Sequence, residues 1–210
     1  MRIPILFENE QMVAVNKPEG LASIPERDLS QPNVVSFLSR EKASKLYVVH
    51  RLDKEVSGVL MFAKDPDTHR YLNSLFLRQK VHKTYVAWVH GMVQSQEGRI
   101  EAPLRQFGSG RMGVDLLKGK PSVTEFSVIR TQDAYTFLKL CPRTGRRHQL
   151  RVHLYSIHHP IVGDPRYGDL SLKPPCSRLM LHAHQIEFPL ASGEQCLIES
   201  PLPESFSQLS

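Results

Sequence analysis

Cysteine is scarce in this chain, and its three examples, Cys141, Cys176 and Cys196, are odd in number with no C-x-x-C spacing. That pattern supports neither a disulfide framework nor a zinc knuckle, and it fits a reducing compartment. Long apolar runs are also missing: no window approaches the ~20 residues of a membrane span. The opening "MRIPILFENEQ" reaches Glu8 and Glu10 before any sustained apolar core, which argues against a leader segment. A cytoplasmic, membrane-free protein is expected. There is no internal repeat, low-complexity segment, long linker, phosphate-cradling glycine motif or metal-ligand cluster.

What the chain does have is a core and a positive charge. Hydrophobic residues make up 40% of 210 positions, enough for one substantial domain. Lys and Arg number 27 against 21 Asp and Glu, giving +6, so a polyanionic partner is expected. The surplus is clustered. Arg143, Arg146, Arg147 and Arg151 fall within nine residues, and Lys118 and Lys120 follow Arg105 and Arg111. Clustered charge of this kind suggests a binding footprint, whereas a scattered surplus would suggest only solubility.

Residues 5 to 7 and 11 to 16 flank the turn-like Glu8-Asn9-Glu10 and predict a hairpin. Asn33 is positioned to cap a helix in "NVVSFLSREK", and Asp65-Pro66 to open a second, with Leu72, Leu75, Phe76 and Gln79 on one face. "SGVLMFAK" and "VHKTYVAWVHG" predict buried strands; "VTEFSVIR" and "AYTFLKLCP" predict a pair; "SRLMLHAHQIEFPL" predicts a closing strand. Between them, "RQFGSGRMGVDLLKGKP" reads as a basic loop. Thr144-Gly145 is a candidate helix start, with Leu150, Leu154 and Ile157 inward and Arg147 and Arg151 sharing another side. The pattern is α+β and dominated by strands, with hairpins pointing to an antiparallel or mixed sheet.

The most unusual stretch is "HRLDKEVSG", residues 50–58, which sets a histidine and four charged residues at the mouth of an apolar strand. An Asp between Leu and Lys is by itself an ordinary surface charge. A charged loop entering a buried strand is, however, a place where rigid elements carry catalytic groups.

"HRLDKEVSGVLMFAK" resembles the H-R-L-D-x-x-T-S-G signature of the RluA family of RNA pseudouridine synthases. "VAVNKPEGLASIP" (13–25), "HKTYVAWVHG" (82–91), "TGRRHQLRVHLYSIHHPIVGDPRYG" (144–168) and "RLMLHAHQIEFP" resemble that family's other motifs in the expected order. Val56 departs from the usual Thr. The resemblance implies the pseudouridine synthase fold, a long bent sheet flanked by helices with a catalytic cleft across its middle, and an isomerase that needs no cofactor or metal. It implies that Asp53 is the catalytic carboxylate, acting by covalent attack or by removal of a sugar proton, that Arg151 pairs with it, and that Tyr85 stacks on the flipped uracil. Arg51 is placed to enter the vacancy left by that base, with His50 beside it among the substrate-binding residues. Arg146, Arg111, Lys118 and Lys120 are expected to bind phosphates of a structured RNA, a loop of large-subunit ribosomal RNA, tRNA or both. No S4-like RNA-binding module is expected in this single-domain, monomeric enzyme.

Two other classes stay open at this point. An RNA-binding or RNA-folding protein would keep the scaffold without turnover, and a metal-dependent hydrolase would use Asp53 with His182 and His184. Two histidines without a carboxylate motif make a weak metal site.

Overall fold

A computed structural model describes residues 2–168 and 176–207. Along the chain run strands β1 (Ile5–Glu8) and β2 (Met12–Lys17), helix α1 (Val34–Glu41), strands β3 (Tyr47–Val48) and β4 (Ser57–Ala63), and helix α2 (Pro66–Leu77). Then come β5 (His82–His90), β6 (Glu97–Glu101), β7 (Leu104–Gln106), β8 (Met112–Val114), β9 (Val123–Gln132), β10 (Tyr135–Pro142), helix α3 (Gln149–Ser156), β11 (Leu181–Pro189) and β12 (Gln195–Glu199). The architecture is α+β, as expected. The chain divides into two compact units, residues 1–83 with 183–201, and residues 84–182 with 202–210.

In the first unit β1 and β2 form the expected hairpin. The Asn9 carboxamide closes its turn by accepting the N–H groups of Gln11 (2.9 Å) and Met12 (2.8 Å). β2 pairs antiparallel with β4 from Met12↔Ala63 to Lys17↔Gly58. Every residue of β4 is buried. Its alternate residues Val59, Met61 and Ala63 pack with Leu72 and Leu75 of α2 and with Ile186, Phe188 and Ile198, the period-2 face that a half-exposed strand would have shown only once. Both predicted caps are present: Asn33 accepts from Ser36 N–H, and Asp65 accepts from Thr68 N–H and its hydroxyl. Gln79 does not continue the α2 face, because the helix ends at Leu77 and Gln79 sits at φ 56.

In the second unit β10 lies antiparallel between β5 and β9, and β6 pairs with the far side of β9. Val86 to Val89 are buried, as an interior strand requires. The stretch expected to be a basic loop contains a short hairpin, with β7 and β8 registered from Leu104↔Val114 to Gln106↔Met112. Its reversal closes through Phe107 N–H to the Arg111 carbonyl, with Gly110 at φ 77.

The third helix starts at Gln149, five residues later than Thr144. The Thr144 hydroxyl is committed elsewhere: it donates to Gln149 Oε1 (2.6 Å) and accepts Val123 N–H, while Gln149 Nε2 donates to the Val123 carbonyl and Thr124 Oγ1. Gln149 through Leu154 are all buried. Arg147 is exposed and Arg151 is enclosed, so the expected shared arginine side does not exist.

Candidate active site

Asp53 lies on the loop between β3 and β4, whose in-and-out pattern separates anchored positions from accessible ones. Val49, Leu52 and Val56 are buried, Arg51 and Lys54 are exposed, and Asp53 is half-buried. The apolar positions plug the loop into the core, which leaves the charged positions at the surface of a fixed backbone. Val56 N–H donates to the Asp53 carbonyl (3.1 Å), closing a turn on the aspartate, and the buried Val56 side chain fills the position where the motif usually has Thr.

Two buried polar side chains hold the peptide groups on either side of Asp53. Ser23 Oγ donates to the Leu52 carbonyl (2.8 Å) and accepts Leu52 N–H (3.0 Å). The ammonium of Lys17, 0% exposed, donates to the carbonyls of Pro18 (2.8 Å), Leu21 (2.7 Å) and Lys54 (3.1 Å). A buried ammonium must have its donors satisfied, and three carbonyl dipoles do so here. The K-P-x-G stretch therefore serves as a support of the Asp53 loop. Neither Lys17 nor Ser23 stands out as a site residue in the sequence, because a lysine at a strand end reads as a surface charge.

His50 is built into the same support. Its Nε2 accepts Met61 N–H (3.1 Å) and its ring stacks on Phe76 at 5.4 Å. Burial, and secondarily the charge of Lys83, push its pKa down to about 3, so it is a neutral imidazole carrying its proton on Nδ1. Gly58, at φ 113, follows at the start of β4, where a Cβ would collide with the Ala183 carbonyl. The glycine of the motif has this steric origin.

In the second unit Tyr85 is half-buried on β5, opposite Leu140 of β10. The basic residues gather around the β7–β8 hairpin. Arg105 bonds Asp115 (2.9 Å) and lies over the Phe107 ring. Asp115 Oδ1 accepts the N–H groups of Leu117 and Lys118, and these bonds, led by that from Lys118, hold its carboxyl below the usual range. Lys118 and Lys120 are exposed on the turn so formed, and Arg146 Nε reaches the Pro121 carbonyl (3.3 Å), next to Lys120. Arg111 is exposed, with its guanidinium 5.0 Å from the Tyr167 ring centre and 5.7 Å from that of Tyr155.

Arg151 is 2% exposed. Its Nε and Nη2 donate to the two oxygens of Asp164, each at 2.8 Å, and its guanidinium lies 5.3 Å from the Tyr167 ring centre. Burial would raise the Asp164 pKa, but the Arg151 hydrogen bonds and charge, with the N–H groups of Arg166 and Tyr167, hold it below the usual carboxylate value. Asp164 and Tyr167 belong to the G-D-x-x-Y-G stretch, and their contacts with Arg151 span too many residues to be visible in sequence.

Of the two histidines weighed as metal ligands, His184 bonds the Ser200 carbonyl through Nδ1, and His182 is buried with its ring edge against Phe206. Among the described residues no three His, Cys, Asp or Glu side chains are grouped to hold a metal ion. No helix among them is long and apolar enough to cross a membrane.

The sequence profile of the RNA pseudouridylate synthase family matches residues 11–156. The chain is 36% identical over 188 residues to the dual-specificity RNA pseudouridine synthase RluA of Vibrio cholerae, covering 89% of this chain and 77% of that one. It is 37% identical over 208 residues to the ribosomal large subunit pseudouridine synthase C of Haemophilus ducreyi, covering 94% and 65%. Among solved structures, human RNA pseudouridylate synthase domain containing 1 superposes with a TM-score of 0.82 at 28% identity, over 96% of this chain and 84% of that one.

Proposed function

Because the chain belongs to the RNA pseudouridylate synthase family and is an RNA pseudouridine synthase, we propose that it isomerises uridines in structured loops of large-subunit ribosomal RNA, tRNA or both, with Asp53 as its catalytic carboxylate. The observation that carries the site assignment is the double anchoring of the Asp53 loop, by Ser23 on Leu52 and Lys17 on Lys54. A carboxylate that must meet one atom of a nucleoside gains from a backbone already fixed before substrate arrives.

The reaction is an isomerisation, so no atom is gained or lost. The N1–C1′ bond breaks, the retained uracil turns, a C5–C1′ bond forms, the C5 proton leaves to water, and N1 takes up a proton from water in its place. Hydrolysis of a glycosidic bond needs one carboxylate to protonate the leaving oxygen and another to attack or to activate water. Here the base never departs, and one carboxylate suffices, whether it attacks covalently or removes a sugar proton. Arg151 is assigned by its motif position to keep that carboxylate ionised and directed. Tyr85 is assigned to the uracil face and Arg51, exposed beside Leu52, to the space the base vacates. Extruding the base costs roughly a few kcal/mol, least in a loop. Arg111, Lys118, Lys120 and Arg146 supply phosphate contacts. His50 enters this scheme as support for the loop, since its Nε2 already accepts from Met61. The protein is assigned to the cytoplasm as a monomer requiring no cofactor.

Mapping pseudouridine in total RNA from cells with and without the gene tests reaction and target together. Sites lost with the gene, restored by wild type and left unrestored by Asp53→Asn, are expected. Equal restoration by both proteins would overturn the role of Asp53, and, with no tritium released from [5-³H]uridine RNA by the purified protein, would indicate an RNA-folding role.

A further inference from the structure

We propose that Asp164 is the positioning residue of Arg151, presenting that guanidinium in one fixed orientation for the isomerisation. The inference deepens the proposed function and rests on its assignment of Arg151.

The pair is enclosed, with side chains 2% and 0% exposed, and it is bidentate. Asp164 occupies the Nε–Nη2 edge, so both the direction and the roll of the guanidinium plane are set, which a single contact would not achieve. Asp164 is itself held. Its Oδ1 also accepts Arg166 N–H (2.8 Å) and Tyr167 N–H (3.0 Å), and its carbonyl accepts Gly168 N–H (3.1 Å). Gly163, at φ 70, precedes it where a Cβ would strike the Arg178 carbonyl, so the turn is seated against the 178 segment. Tyr167 adds its ring beneath the guanidinium and is pinned through its hydroxyl, which accepts Met112 N–H (3.1 Å) and bonds His148 Nδ1 (2.7 Å).

Packing alone does not account for this arrangement. The neighbours of Arg151 in α3, Val152 and Leu154, are apolar and buried, and an apolar pair of similar volume often replaces a buried ion pair without loss of stability. An arginine held this rigidly within the buried stretch Gln149–Leu154 indicates that its charge is used. Asp164 also balances that charge, so the guanidinium is held within the interior without being a lone buried cation.

The test is a double-mutant cycle read by single-turnover tritium release from [5-³H]uridine RNA at saturating enzyme, with RNA dissociation constants measured in parallel. Asp164→Asn is expected to slow release by about 10- to 100-fold, the range typical of supporting residues around a reactive centre, with RNA affinity within about twofold. In an Arg151→Met background the same change is expected to alter the rate by less than about threefold, because residues that act as a unit are non-additive. Should Asp164→Asn fail to fold, Asp164→Glu retains the charge and shifts the carboxylate by one methylene, and a loss of about tenfold is expected. A wild-type rate in Asp164→Asn or Asp164→Glu, or equal fold-losses in both backgrounds, overturns the proposal while leaving the role of Arg151 standing. A wild-type rate in Arg151→Met overturns the role of Arg151 and this inference together.

Discussion

Ser23 grips both sides of one residue: its hydroxyl donates to the Leu52 carbonyl at 2.8 Å and accepts Leu52 N–H at 3.0 Å. A β-ladder would satisfy these groups from a neighbouring strand. Here one side chain does so for a loop, one residue before Asp53, the proposed catalytic carboxylate.

Ser23→Ala should therefore destabilise the protein by roughly 1–3 kcal/mol, since it leaves a buried donor and a buried acceptor unpaired. Urea denaturation checks the stability, and tritium release checks the rate, which should fall while RNA binding is retained. Unchanged stability and rate would show that the clamp is dispensable.

Gly58→Ala is expected to be far more damaging, because it combines a backbone at φ 113 with a Cβ directed into the Ala183 carbonyl. A loss of several kcal/mol is the scale for strain of this kind in a packed core. Limited proteolysis and near-ultraviolet circular dichroism should report a disrupted first unit.

Neutralising Arg111, Lys118 or Lys120 should weaken RNA binding and reduce the slope of log K against log salt by roughly 0.7–0.9 for each phosphate that the variant no longer neutralises. The turnover rate at saturating RNA should change little. A slope equal to that of wild type would place the hairpin off the RNA path.

Acid should destabilise the fold before the carboxylates titrate. His50 has a pKa of about 3 in the folded chain against an ordinary 6.5, and burial lowers that of His153 as well. The unfolded chain therefore takes up these protons first, and stability present above pH 6.5 is lost as pH falls below it. Unfolding free energy should decline between about pH 6.5 and about 4.5, with a slope approaching ~1.4 kcal/mol per pH unit for each histidine that stays neutral in the fold. His50→Gln, which can still accept from Met61, should flatten the decline. A flat wild-type profile would contradict the neutral state of His50.

Much of the site is legible in the sequence because its signals are local. Asn33 and Asp65 cap helices through residues three positions on, Asn9 closes a two-strand turn, and the charged loop before β4 stands out against the buried strand that follows. The start of α3 escapes sequence reasoning for a nonlocal reason. Thr144 looks like a cap, but its hydroxyl is taken by Gln149 and Val123, the latter 21 residues away. Helical spacing sets Arg151 on one side with Arg147, and spacing alone cannot show that an aspartate 13 residues later encloses it.

The order of residues was sufficient to establish the strand-rich α+β class, the basic footprint, and the candidacy of Asp53, since each depends on composition or on spacings within a few positions. Only the tertiary structure revealed that Lys17 and Ser23 hold the Asp53 loop and that Asp164 holds Arg151. Those bonds join chain segments 13 to 37 residues apart, and a buried polar group acquires a partner only when folding has removed the water that otherwise satisfies it.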